Sequence, residues 1–191
     1  PCRGRAHHLV DEAAGLERGR SIGHRMRVAE ALVELAMVEL GAGDLPAARA
    51  FLREGLAIAR ETHSEELLAA GLAVAAGTER AAGVPARALE LAAEAVGLAQ
   101  PLGQATCEMW GRTEAGLAHL ALGQLEQAEA ELRQAELLVA RAHQGWIGTE
   151  QVHLAYAEAL ERSGKTEQAQ EQRRLAEAVI QAKAAWIQDP A

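Results

Sequence analysis

The chain is predicted to fold as an all-α solenoid, a superhelix of about four helix–turn–helix repeats after a truncated N-terminal helix. Three observations carry that prediction. Ala48, Ala88, Ala128 and Ala169 recur after 40, 40 and 41 residues, and each lies five residues beyond a glycine, Gly43, Gly83, Gly123 or Gly164. Twelve residues before each alanine stands another small residue, Ala36, Ala76, Gly116 or Ala157. The composition is helical as well: Ala, Leu, Glu, Gln and Arg dominate, while 191 residues hold only 3 Trp, 1 Tyr, 1 Phe and 5 Pro. Strand formers are too scarce for a sheet. Two small positions in register on either side of one glycine describe a unit whose helices pack closely about a turn. Such units bury their apolar faces only by stacking.

Residues 5–18 read as the second helix of a partial repeat, with Leu9, Val10, Ala13 and Leu16 at helical spacing, followed by a glycine-containing link from Gly19 to Gly23. The first full repeat, 21–63, has one helix from Ser21 to about Leu40. It turns through GAGDLP and returns from Pro46 to about His63. Asp44 is placed to cap the second helix, and Pro46 suits a first turn because its missing N–H is not needed there. The second repeat, 64–103, runs from Ser64 to Ala82, turns at Gly83-Val84-Pro85 and is stopped by Pro101 and Gly103. The third, 104–145, takes Gln104 to Leu122 and Leu125 to His143. The fourth, 146–187, has a helix from about Thr149 to Ser163. A longer one from Thr166 to about Ile187 is rich in Gln, Glu and Arg, as a solvated capping helix would be. Leu32, Leu35, Leu52, Leu56, Leu72, Leu89, Leu132, Leu138, Leu160 and Leu175 are the expected core. The whole of 1–191 reads as one repeat domain. Starting at Pro1 and entering directly into helical sequence, it reads as a fragment of a larger protein.

A net charge of −8 argues against a phosphate-binding surface, since nonspecific nucleic-acid affinity comes from clustered Lys and Arg. Cys2 and Cys107 make neither a metal-ligand spacing nor a disulfide framework, which fits a cytoplasmic setting. No apolar run approaches the roughly 20 residues of a membrane span. ALERSGKT at 159–166 satisfies a permissive phosphate-loop pattern, but helical sequence precedes it and Gly164 keeps the register of the turn glycines. Among the seven histidines there is no helical metal pair, and His7 and His8 are adjacent. His63 and His143 fall at equivalent helix ends, where the helix dipole suits them, while His119 and His153 lie on first helices. No nucleophile has a recognisable base beside it. The expectation is therefore no enzyme, no metal and no cofactor.

The order of small residue, turn glycine and alanine five residues later, most complete in GQLEQAEAEL (123–132) and GKTEQAQEQ (164–172), resembles the tetratricopeptide repeat (TPR). The period of 40 departs from the about 34 residues usual in that family. In its longer helices the chain is similar to the repeat regions of large bacterial ATPase-type transcriptional regulators and of multidomain nucleotide cyclases. The resemblance implies a right-handed superhelix whose first helices line a concave groove for a peptide, a partner helix or neighbouring domains of the same chain. Carried over by position, that groove takes Glu30, Val33, Met37 and Leu40 from the first repeat and Ala70, Ala73, Gly77 and Arg80 from the second. Trp110, Thr113, Leu117 and Leu120 follow from the third, with Gln151, Leu154, Glu158 and Glu161 from the fourth. The Lys, Asn and Arg clamp with which part of that family grips a terminal carboxylate is missing. The lining that remains, apolar in the first and third repeats and acidic in the fourth, suits an amphipathic or basic-apolar segment rather than an acidic tail. Two other readings stand beside this one. The array could be the effector-sensing arm of a signalling ATPase or transcriptional regulator, with Trp110 and Trp146 near the ligand, or a scaffold that self-associates.

Overall fold

A computed structural model describes residues 14–139 and 148–188, with side chains to residue 185. A helix over 14–21 (α1) leads into α2 (Arg25–Ala42), α3 (Leu45–Glu61), α4 (Glu65–Ala81) and α5 (Pro85–Ala99). Then come α6 (Ala105–Ala121), α7 (Leu125–Val139), α8 (Thr149–Arg162) and α9 (Thr166–Gln188). No strand occurs among the described residues. The order is that of an α-solenoid. Each even helix packs antiparallel on the odd helix after it, and α2, α4, α6 and α8 also touch one another in sequence. The backbones of odd helices do not approach one another as closely among the described residues, although side chains bridge α1 to α3 through Arg20 and Glu54 and α7 to α9 through Glu136 and Gln172. Close approach on the even side and separation on the odd side curve the stack, with the even helices innermost.

One turn geometry repeats throughout. At the α2–α3 junction Gly43 adopts φ 81° and donates its N–H to the Leu40 carbonyl at 3.0 Å, while Asp44 N–H reaches back to Glu39 at 3.0 Å. These two bonds form a Schellman ending, which uses a left-handed residue to satisfy carbonyls the helix leaves open. The same pair of bonds recurs at Gly83, Gly103, Gly123 and Gly164, so the predicted turn glycines are turn glycines for a backbone reason. The next residue starts the following helix. Asp44 Oδ1 accepts from Ala47 N–H at 3.0 Å, Ser64 Oγ from Leu67 N–H at 3.4 Å, and His24 Nδ1 from Arg27 N–H at 3.3 Å.

All eight small positions lie in the seams. Ala36, Ala48, Ala76, Ala88 and Ala128 are 0% exposed, Ala157 and Ala169 are 1%, and Gly116 is buried. A Cβ on Gly116 would stand 2.4 Å from Leu132 Cγ, so α6 and α7 meet there without room for a methyl group. Two sequence expectations change. Gly19 does not break the chain, because α1 continues through Ser21 and Gly19 is the close contact with Val28, whose Cγ2 would lie 3.1 Å from an added Cβ. The first helix of the first repeat therefore starts at Arg25 rather than Ser21. Leu175 is 38% exposed and is not core. It sits on α9, which packs chiefly on α8 and reaches α7 only through Ala169 and Gln172. The other nine predicted core leucines are buried, apart from half-buried Leu89.

Candidate binding site

On the inner side α2, α4 and α6 line a half-open cavity of about 420 Å³, with Gly148 and Gln151 at the α8 end. Its apolar wall comes from Met37 and Leu40 of α2, Ala73 and Val74 of α4, and Trp110 of α6. Met37, Leu40 and Trp110 are half-buried and also pack on the main core cluster. Gly148 holds φ 90°, and a Cβ there would come within 3.2 Å of Trp110 Nε1, so the entry to α8 lies directly against the indole. The polar side is built by Arg80, Glu114 and Gln151. Arg80 Nε donates to Glu114 Oε2 at 2.6 Å, and Gln151 Nε2 donates to Glu114 Oε1 at 3.4 Å. A buried carboxylate needs such partners, because desolvation would otherwise expel its charge.

Of the residues assigned to a groove by position, Met37, Leu40, Ala73, Arg80, Trp110, Thr113 and Gln151 line this one cavity. Val33, Ala73, Thr113 and Leu120 are nonetheless buried, and the Thr113 hydroxyl is spent on the Met109 carbonyl at 2.7 Å. Leu117 is half-buried against the cluster around Leu132 and Leu160. Gly77 is a packing glycine, since its Cβ would stand 3.1 Å from both Glu114 and Leu40. Ala70 is half-buried, and Leu154 is exposed on α8. The acidic positions are engaged within the chain: Glu30 with Arg27 at 3.0 Å, Glu158 with Arg162 at 3.6 Å, and Glu161 with Arg173. Glu114 and Val74 belong to the cavity although transfer by position does not reach them. Glu114 lies one residue past Thr113, and its pairing with Arg80, 34 residues away, does not follow the 40-residue register, so the repeat offered no signal for it.

Other sequence signals resolve into structure. Residues 159–162 form the last turn of α8, Gly164 holds φ 78°, and Lys165 Nζ is paired with Glu129. His153 is buried against α9, with Nδ1 2.7 Å from Gln172 Oε1, and His119 Nδ1 lies 2.6 Å from Gln124 Oε1 at the α6–α7 turn. His63 occupies the left-handed slot of its turn at φ 53°, the place glycine takes elsewhere. Cys107 is buried; desolvation first, and then the charge of Glu66, push its thiol up to about 11. Cys2, His7, His8, His143 and Trp146 lie outside the described residues, as do residues 5–13 of the partial repeat. Among the described residues no three His, Cys, Asp or Glu side chains gather as a metal group. No described helix is long and apolar enough to cross a membrane.

Fold and site together define a TPR-like α-solenoid with a cavity on its inner face. No protein-family model matches the chain, and no curated protein does. Solved structures do. A Podosopora anserina putative kinesin light chain with nearly identical TPR-like repeats is similar, in a point-variant form, at TM-score 0.58 and 21% identity, covering 89% of this chain and 85% of that one. Another crystal structure of those repeats gives 0.55 at 21% identity, over 88% and 85%. BtubC (BKLC) from P. vanneervenii matches at 0.52 and 14% identity, over 94% and 92%. At these identities the likeness concerns the fold.

Proposed function

We propose that this chain is a recognition module, which holds a basic-apolar peptide segment or partner helix, or a neighbouring domain, on the inner face of α2, α4, α6 and α8. The observation that carries the reading is the cavity itself, where Met37, Leu40 and Trp110 from two helices of different repeats converge on one opening. Apolar and aromatic anchors seated in a pocket dominate binding energy in protein interfaces. The 40-residue units act in this reading as one array serving a larger regulatory or signalling protein. Its contribution is recognition, without catalysis or a cofactor. Calorimetric titration with amphipathic peptides carrying Lys and Arg opposite an apolar stripe, against acidic peptides of the same stripe, tests it. The basic set should bind, and Met37→Ala should weaken it about tenfold or more, read beside circular dichroism of the variant because Met37 also packs on the core. Equal binding of both sets, or indifference to Met37→Ala, would refute the assignment.

A second reading, an effector-sensing arm, is favoured by the size of the same cavity. Its about 420 Å³ falls in the range of small-molecule sites, about 300 to 1,000 Å³, and its lining is apolar with a few polar groups.

A further inference from the structure

We propose that the cavity takes a small uncharged carbonyl compound with an apolar tail, an amide in preference to an acid or an amine; this rests on the effector reading above. A guanidinium carries five N–H donors. Arg80 uses only Nε, on Glu114, and neither Nη group has an acceptor among the described residues. No buried side-chain polar atom among those residues lacks a partner, so the Nη edge is open where Arg80 lines the cavity. Arg80 is 26% exposed against 12% for Glu114, and what the pair presents outward is mainly donors. A ligand that completes this edge must bring an acceptor.

Charge then decides which acceptor. Arg80 and Glu114 sum to zero at 2.6 Å, so a carboxylate drawn to the guanidinium meets the carboxylate behind it, and an ammonium drawn to Glu114 meets the guanidinium in front. Like charges brought together in a partly desolvated site weaken binding, whereas a carbonyl oxygen accepts from Nη at no such cost. Met37, Leu40 and Trp110 provide the wall for an apolar body. Gly77 makes the arrangement possible, because a side chain there would crowd both Glu114 and Leu40.

The test is tryptophan fluorescence titrated with octanamide, octanoate and octylamine, three probes with one tail and different heads. Trp110→Phe serves as the control that assigns the signal to the cavity. The proposal expects octanamide to bind about tenfold or more tightly than either charged probe. It further expects Glu114→Gln, which leaves Arg80 unbalanced, to switch the preference to octanoate. That switch is a gain, so it cannot arise from a misfolded variant. If octanoate or octylamine binds the unaltered protein as well as octanamide, the ligand class is wrong and the effector reading stands. If none of the three gives a saturable, Trp110-dependent change, both fall.

Discussion

At His63 the chain places a Cβ-bearing residue where six other described inter-helix turns have glycine, at φ 53°. The left-handed region costs an L-residue about 1 kcal/mol, part of which glycine returns through its greater freedom when unfolded. His63→Gly should therefore raise stability by about 0.5 kcal/mol, seen as a higher urea midpoint at unchanged slope. A lower midpoint would mean that the imidazole holds the turn by a contact worth more than the strain. Helical glycines divide in the opposite sense according to what faces them. Gly116→Ala drives a methyl group to within 2.4 Å of Leu132 Cγ in the α6–α7 seam, and overpacking of that kind costs about 1 to 3 kcal/mol. Gly97→Ala, in α5 with nothing within 4 Å of the new Cβ, should instead gain about 0.5 kcal/mol. Equal effects at the two sites would show that backbone propensity, and not the seam, sets the glycine pattern.

Between elements the ties are polar bridges roughly one repeat long: Arg20 to Glu54, Arg49 to Glu79, Arg80 to Glu114 and Lys165 to Glu129. The last joins the α8–α9 turn to α7. Burial alone would raise the Glu129 carboxyl, but hydrogen bonds from Lys165 and Ser163, with the charges of Lys165 and Arg133, bring it below the ordinary value of 4.5. A carboxyl with a depressed folded pKa adds stability that is complete above its unfolded pKa and is lost as pH falls through the folded one. Acid unfolding followed by helical circular dichroism should show this group's share disappearing below about pH 4.5, and Glu129→Gln should flatten the curve there. An unchanged acid limb in the variant would place the acid sensitivity elsewhere. Such bridges also mark what could be read from sequence. Turn glycines and seam alanines repeat in register because every turn and every seam asks for the same backbone shape. Bridge partners do not repeat, since each depends on which long side chain reaches across, and Glu114 was missed for that reason. Gly19 and Leu175 misled for a related one: a glycine can serve a seam as readily as a turn, and Leu175 on α9 has no helix packed over it among the described residues.

Over the whole molecule, helices touch near neighbours only, so stability is a sum of repeat and interface contributions and not the property of one core. The central helices have neighbours on both sides: α4 touches α2, α3, α5 and α6, and α6 touches α4, α5, α7 and α8. At the C-terminal side α9 packs chiefly on α8, with a hydrogen bond from Gln172 to Glu136 and the small contact of Ala169 reaching α7. Its buried contribution is small, chiefly Ala169, Ala176 and Gln172, while Leu175 and Ile180 remain exposed. At the places where α3 and α7 insert buried Leu52 and Leu132 into their seams, α9 carries exposed Arg173. Local opening should follow that gradient, because the free energy of exposing an amide tracks the apolar surface that water reaches when its helix detaches. Native-state hydrogen exchange is expected to release α9 first, then α8, with α4 and α6 exchanging last and near the global unfolding free energy. The cavity, built from α2, α4 and α6, would then belong to the most stable part of the stack, as suits a site whose anchors must be held in place before a ligand arrives. Ala128→Trp supplies the complementary perturbation: a bulky ring forced into the α6–α7 seam, where Ala128 is 0% exposed, should bring exchange in α6 down to the level of α9. Protection in α6 that survives this change would show that the α4–α6 contact alone sustains the inner face and that the repeats are less coupled than their shared seams imply.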